Sequence, residues 1–396
     1  MIARAMSDDE ADPELLALLR KSLGLDGGPA NPRTAETKVL ENAQFVFDNA
    51  IDVALSPAKV KEAAETIWRL MQKKNYSTDT WADHELHPKA KDGSTVDFIF
   101  TMDLLNFSFW SDQTEPSKRF CIEYRGKKWT GYWSLVAALQ RALDEGIQIT
   151  TPEFWINEEE CTDALFRHVF RSASEEKIPL LDERLQCLRE AGRVLCSDFD
   201  GSFVNCIYSA NYSAAALVNL LVESFPCFRD ETVFQGRRVR LYKRAQILVA
   251  DLWACFNGES YGEFHDIDKI TMFAESHIRS KKLIPSGSNW EIELRATSIW
   301  CVELIRREIE RQHPEVKKQK LSKGASAQSP ENGATSFENE TNPAAQKHIR
   351  QNSTHDASGL GINAILIDFF LYDTAKELER DGRETIPHHR TRSIWY

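Results

Sequence analysis

The sequence predicts a single, mainly α-helical domain with a small β-hairpin or sheet. Three observations carry that reading. Apolar residues recur at helical spacing through most of the chain between residues 57 and 312. Strand-like patterning is confined to two neighbouring stretches, 95–110 and 118–131. No alternation of strand and helix runs along the chain, which a parallel α/β sheet would need.

The elements follow in order. Residues 1–38 are polar, with "DGGPANPRT" closing a short apolar run, and read as a mobile tail. "PAKVKEAAETIWRLMQKK" (57–74) opens on Ser-Pro, a helix start in which proline's missing N–H costs nothing. "TVDFIFTMDLLNFSFW" (95–110) and "KRFCIEYRGKKWTG" (118–131) flank the polar "SDQTEPS" and read as the two arms of a hairpin. "SLVAALQRALDEG" (134–146) is a helix ending at Gly146. Four more helical windows lie in 178–199, 211–225, 240–256 and 292–312. Residues 317–359 are rich in Ser, Asn, Gly, Gln and Pro and nearly free of large apolar side chains. Such a segment cannot bury enough surface to offset its chain entropy, so it reads as a disordered insertion. The residues after it are too few to fold alone and must pack back onto the body, giving one domain over 39–396.

The totals bound the function. The formal net charge is −11 over 396 residues, which argues against a chain whose main task is to grip nucleic acid. No apolar run approaches the roughly 20 residues of a membrane span. The eight cysteines form no C-x-x-C pair and read as reduced thiols, which places the chain in the cytoplasm or the nucleus. Neither a metal nor an organic cofactor is called for. "HELH" puts His84 and His87 three apart, but H-E-x-x-H spacing is absent. "SDFDGSF" (197–203) resembles a phosphatase nucleophile loop, yet a helix end precedes it, so a turn is the better reading.

"ILIDFFLYDTAKELER" (365–380) carries two acids inside an apolar run. A carboxylate taken from water without a partner is costly, so each needs a cap, an ion pair or a ligand. On a regular helix Asp368 and Asp373 point about 140° apart and cannot address one atom. Phe369 and Asp373, four apart, share a face. That pairing suits a ligand with a flat ring and a cation-like centre. Lys243 and Arg244 open another helical run, either as a solvated first turn or as phosphate contacts. "PHHRTRSIWY" (387–396) is a basic segment ending in aromatics that could dock and face a phosphate.

Taken together, "DLLNFSFW", "YRGKKWTGYWSLVAALQRALDEGIQIT", "LVESFPCFRDE", "YKRAQILVADLW", "NAILIDFFLYD" and "PHHRTRSIWY" resemble the queuosine 5'-phosphate N-glycosylase/hydrolase family of queuosine salvage. The resemblance runs from about residue 39 to 396 and skips 317–359. It implies a mostly helical fold similar to helix-hairpin-helix DNA glycosylases. It also implies hydrolysis of queuosine 5'-phosphate to queuine and ribose 5-phosphate by a monomer that does not bind nucleic acid.

Carried over by position, the catalytic aspartate is Asp373. The base-contacting residues are His84, Phe273, Asp368, Phe369 and Glu275, with glutamate where the family word has aspartate and Phe369 where members can carry tyrosine. Lys243, Arg244, His388, His389, Arg390 and Arg392 are the phosphate candidates. Asp373 must act ionised, so a neighbouring cation or hydrogen-bond donor should hold its pKa down. The rival readings are an inactive nucleobase- or nucleotide-binding protein of the same fold and a glycosylase acting on nucleic acid.

Overall fold

Short polar side chains start the helices where the sequence places them before an apolar-periodic run. Ser56, Asp92, Thr162, Ser213, Ser288 and Asn363 each accept a backbone N–H from the first turn that follows. The computed structural model describes residues 35–78, 81, 84–274, 283–315, 362–383, 386 and 389–396. In chain order the first elements are α1 (Val39–Asp48), α2 (Pro57–Lys74), α3 (Gly93–Leu104), β1 (Ile122–Tyr124), β2 (Lys127–Trp129) and α4 (Tyr132–Asp144). Then come α5 (Pro152–Ile156), α6 (Asp163–Val169), α7 (Leu181–Asp198), α8 (Val204–Ser209) and α9 (Ala214–Ser224). The chain continues with β3 (Glu231–Phe234), β4 (Arg237–Arg240), α10 (Lys243–Cys255), α11 (Asn289–Gln312) and α12 (Ala364–Arg380).

The class is mainly α. The expected helices form, and Gly146 closes α4 at φ 78°. "SDFDGSF" is the end of α7 and a turn with Asp200 and Gly201 at positive φ. The expected hairpin between 95–110 and 118–131 does not form. Residues 93–104 are helix α3, and the first hairpin lies inside "IEYRGKKW", pairing Ile122 with Trp129 across Arg125-Gly126. Helix α3 buries Thr95, Val96 and every residue from Phe98 to Leu104. A segment buried on all sides shows no polar face, so its period could not separate helix from strand. A second hairpin, β3–β4, turns through Gln235 and Gly236, both at positive φ.

One continuous apolar core runs from Val39 to Phe370. Helices α1, α2 and α12 pack on α11, and α3 packs on α10. Thr37 is buried and Lys269 Nζ donates to Ala35 O, so the packed body begins before residue 38. The rest of the expected tail, and the expected insertion at 317–359, lie outside the described residues.

Arg295 of α11 ties several of these pieces together. Its guanidinium donates to both carboxylate oxygens of Asp230, at 3.1 and 2.5 Å, and to Glu291 at 3.2 Å. Asp230 in turn accepts from Lys243 N at the start of α10. All four residues are buried. Removing one member strands the other charge out of water. Asp230→Ala is therefore expected to lower unfolding stability by about 3–5 kcal/mol, read as a drop in the urea midpoint.

Candidate functional site

A cavity of roughly 1040 Å³ opens between α10, α11, α12, the chain after α2 and the chain after α3. Its lining includes Asp373, Asp368, Phe369, Phe273 and His84, five of the residues expected at the site. Glu275 lies outside the described residues.

Helix α12 forms one wall. It is regular from Ala364 to Arg380, with its first turn closed by Asn363. Asp368, Phe369, Tyr372, Asp373 and Lys376 all face the cavity, within an arc of about 140° at 100° per residue. The two acids stand at the edges of that arc. Tyr76 donates from its hydroxyl to Asp373 Oδ2 at 2.6 Å and packs edge-on against Phe370. The net effect on Asp373 is a raised pKa. Burial is the largest cause, and Tyr76 works against it. The expected donor is present, but desolvation outweighs it. The Phe273 and Phe369 rings approach to 6.1 Å between centroids at 52°.

An aromatic wall holds His84. Its ring stacks on Trp133 at 3.3 Å and 16°, and His87 stacks on Trp81 at 3.8 Å and 20°. His84 Nδ1 accepts from Leu86 N, so its remaining proton sits on Nε2. Burial lowers the His84 pKa and drives that of His87 to about 4, keeping both neutral. Both His87 ring nitrogens are engaged, by Trp81 O at 2.7 Å and the Tyr132 hydroxyl at 2.9 Å.

The phosphate candidates divide. Lys243, His389 and Arg390 line the cavity. Lys243 Nζ sits 4.2 Å from the centre of the Tyr396 ring, and the His389 ring packs tilted against the same ring at 3.8 Å and 32°. The structure does not bring Arg244 or Arg392 there. Arg244 is buried, neither a solvated first turn nor a cavity residue. Its guanidinium donates to the Leu104, Asp103 and Cys227 carbonyls between the Phe107 and Phe228 rings. Arg392 lies flat on Trp110 at 3.5 Å and donates to Trp110 O and Ser108 Oγ. His388 lies outside the described residues.

Sequence reasoning missed Tyr76, Trp81, Trp133 and a buried pair of acids. Asp251 of α10 lines the cavity and accepts from Trp81 Nε1 at 3.1 Å. Asp103 of α3 is fully buried beside it. Burial pushes Asp251 up to about 7, and burial with the Asp251 charge pushes Asp103 well above the usual carboxylate range. Nothing local marks these acids, because the pairing depends on α3 packing against α10.

A family model described as "Queuosine salvage protein" matches residues 86–280 and 275–396. The queuosine 5'-phosphate N-glycosylase/hydrolase of Schizosaccharomyces pombe is 38% identical over 91% of this chain and 100% of its own length. The Mus musculus protein of that name is 36% identical over 93% and 100%. That of Sphaerobacter thermophilus is 32% identical over 92% and 97%.

The acid pair fixes a pH dependence. A carboxyl whose folded pKa is raised favours the folded state below its unfolded pKa, near 4, and loses that stabilisation as pH rises through the folded value, here about 7. Asp97, raised to about 6 by burial, loses its own share at lower pH. Between pH 6 and 8 the wild type should therefore lose stability, while Asp251→Asn changes less and is the more stable protein at pH 8. The difference is on the order of 1–3 kcal/mol, measured by urea melts at the two pH values.

Proposed function

The chain belongs to the queuosine salvage protein family, and from that premise we propose that it hydrolyses the N-glycosidic bond of queuosine 5'-phosphate, releasing queuine and ribose 5-phosphate. The observation that carries the reading is Asp373, on a cavity wall beside Phe369 and hydrogen-bonded by Tyr76. Breaking a sugar–base bond builds positive charge at the anomeric carbon. A carboxylate beside that carbon stabilises the charge or adds to it. Asp373 serves that role. The Tyr76 hydrogen bond favours its ionised form against the cost of burial.

The base sits against the aromatic wall. Phe273 and Phe369 supply stacking faces for its fused rings. The neutral His84 offers an N–H donor to an acceptor on the base edge. Asp368 and Glu275 suit the amine-bearing arm, which is cationic near neutral pH. Lys243 and Arg390, with His389, take the 5'-phosphate, since a compact ammonium and a planar guanidinium both match phosphate oxygens. The helical frame is read as the helix-hairpin-helix DNA glycosylase kind, supported by the sequence resemblance and by an aspartate presented from a helix into an interhelical cleft. The chain is read as a monomer of the cytosol or nucleus acting on the free nucleotide. The net charge of −11 and eight free cysteines support that reading, and no helix among the described residues is long and apolar enough to cross a membrane.

Two measurements test this. Purified protein incubated with queuosine 5'-phosphate should release queuine, followed by chromatography. Asp373→Ala should cut turnover by about 10³-fold or more, in line with loss of a main electrostatic group; equal release by the variant sinks the assignment. Lys243→Ala should raise KM for queuosine 5'-phosphate about tenfold or more, the loss of roughly 1.4 kcal/mol of phosphate binding. It should leave turnover of unphosphorylated queuosine nearly unchanged. An equal effect on both substrates would remove Lys243 from the phosphate site.

A further inference from the structure

Queuine is a 7-deazaguanine, so the usual purine route of protonating N7 before departure is closed to it. Electrons arriving on the base as the bond breaks must be met elsewhere. The cavity holds a group suited to that, which the scheme above leaves unused. Asp251 lies on the cavity wall, 6% exposed, with Oδ1 held by Trp81 Nε1. Trp81 stacks on His87, whose ring meets that of His84 edge-on, so Asp251 belongs to the wall assigned to the base.

Behind Asp251 stands Asp103. Asn106 donates to its Oδ1 at 3.2 Å, and its Oδ2 has no donor among the described residues. The nearby Arg244 guanidinium is committed to backbone carbonyls. Burial and the Asp251 charge both favour the protonated form of Asp103, which leaves Asp251 as the carboxyl open to the cavity.

Resting on the queuosine 5'-phosphate reading, we propose that Asp251 is the general acid for the departing base. As the bond from the anomeric carbon to the base nitrogen breaks, its electron pair passes to the base. Asp251 delivers a proton to an acceptor on the base edge. Water then adds hydroxide to the anomeric carbon, and its remaining proton returns to Asp251. The sum is hydrolysis with no other reactant. An acid that titrates near 7 is matched to this work at neutral pH. Burial raises Tyr132 well above its usual value and Cys255 to about 11, with Lys91 beside Cys255. Tyr372 of α12 faces Tyr132, and Arg244 bears on Asp103.

The test uses the full chain and two substrates, queuosine 5'-phosphate and 4-nitrophenyl β-ribofuranoside 5-phosphate, whose phenolate leaves without a proton. Asp251→Asn should lower kcat for the natural substrate about 10²-fold or more, with KM within a few-fold, and spare most of the activity on the nitrophenyl substrate. Asp373→Ala should lose both, since each needs the sugar-side carboxylate. In the wild type, kcat for the natural substrate should fall above about pH 7. Equal losses on both substrates in Asp251→Asn, or a wild-type kcat that does not fall above about pH 7, overturns the proposal. A wild type that releases no queuine brings down the functional reading as well, whereas a wild type that turns over with Asp251→Asn equal to it brings down this inference alone.

Discussion

Two buried guanidinium groups at the end of α3 hold the cavity in place. The last carbonyls of a helix have no partner within it, and here they end in the core where water cannot serve them. Arg184 from α7 donates to Leu105 O and Phe107 O. Arg244 from α10 donates to Leu104 O, Asp103 O and Cys227 O. The Phe107 ring lies near both cations, at 4.3 and 5.0 Å. Three helices are thereby locked around one turn of backbone. The chain that leaves this turn, from Asn106 to Ser111, lines the cavity and binds the final segment through Ser108 N to Tyr396 O at 2.8 Å.

That clamp also explains why Arg244 reads misleadingly in sequence. A basic pair ahead of an apolar helix invites either a solvated turn or an anion site. Lys243 reaches the cavity, while Arg244, one residue on, is turned into the core. The difference is about 100° of helix rotation, and nothing in the residue types encodes which of the two faces the opening. The α12 acids were more legible, because their own spacing constrained them. The all-buried α3 was misassigned for lack of a polar face. The β3–β4 hairpin carried a usable sign, Gln-Gly between β-branched and charged residues, that went unread. The acid pair was invisible, since Asp103 and Asp251 lie far apart in sequence and meet only once α3 and α10 pack.

The cavity buries carboxyls in two places with different hydrogen-bond donors. Near Asp373 burial raises the carboxyl's pKa and the Tyr76 hydroxyl works against it. Near Asp251 two carboxyls lie in a dry place, with the Trp81 indole donating to Asp251 and the Asn106 amide to Asp103. Lys243 opens the same helix that carries Asp251, and its ammonium sits over the Tyr396 ring.

The regular phase of α12 has a consequence for how this gene can change over generations. Six residues of this helix line the cavity, five within one 140° arc and Leu371 just beside it, while Leu366, Ile367 and Phe370 face the core. A codon gained or lost at the head of this helix would turn every later residue by about 100°. Apolar side chains would swing to the opening and carboxylates into the core in a single event. Point substitutions can sample this wall one residue at a time, but length changes cannot, so the helix should tolerate varied spelling and almost no variation in count.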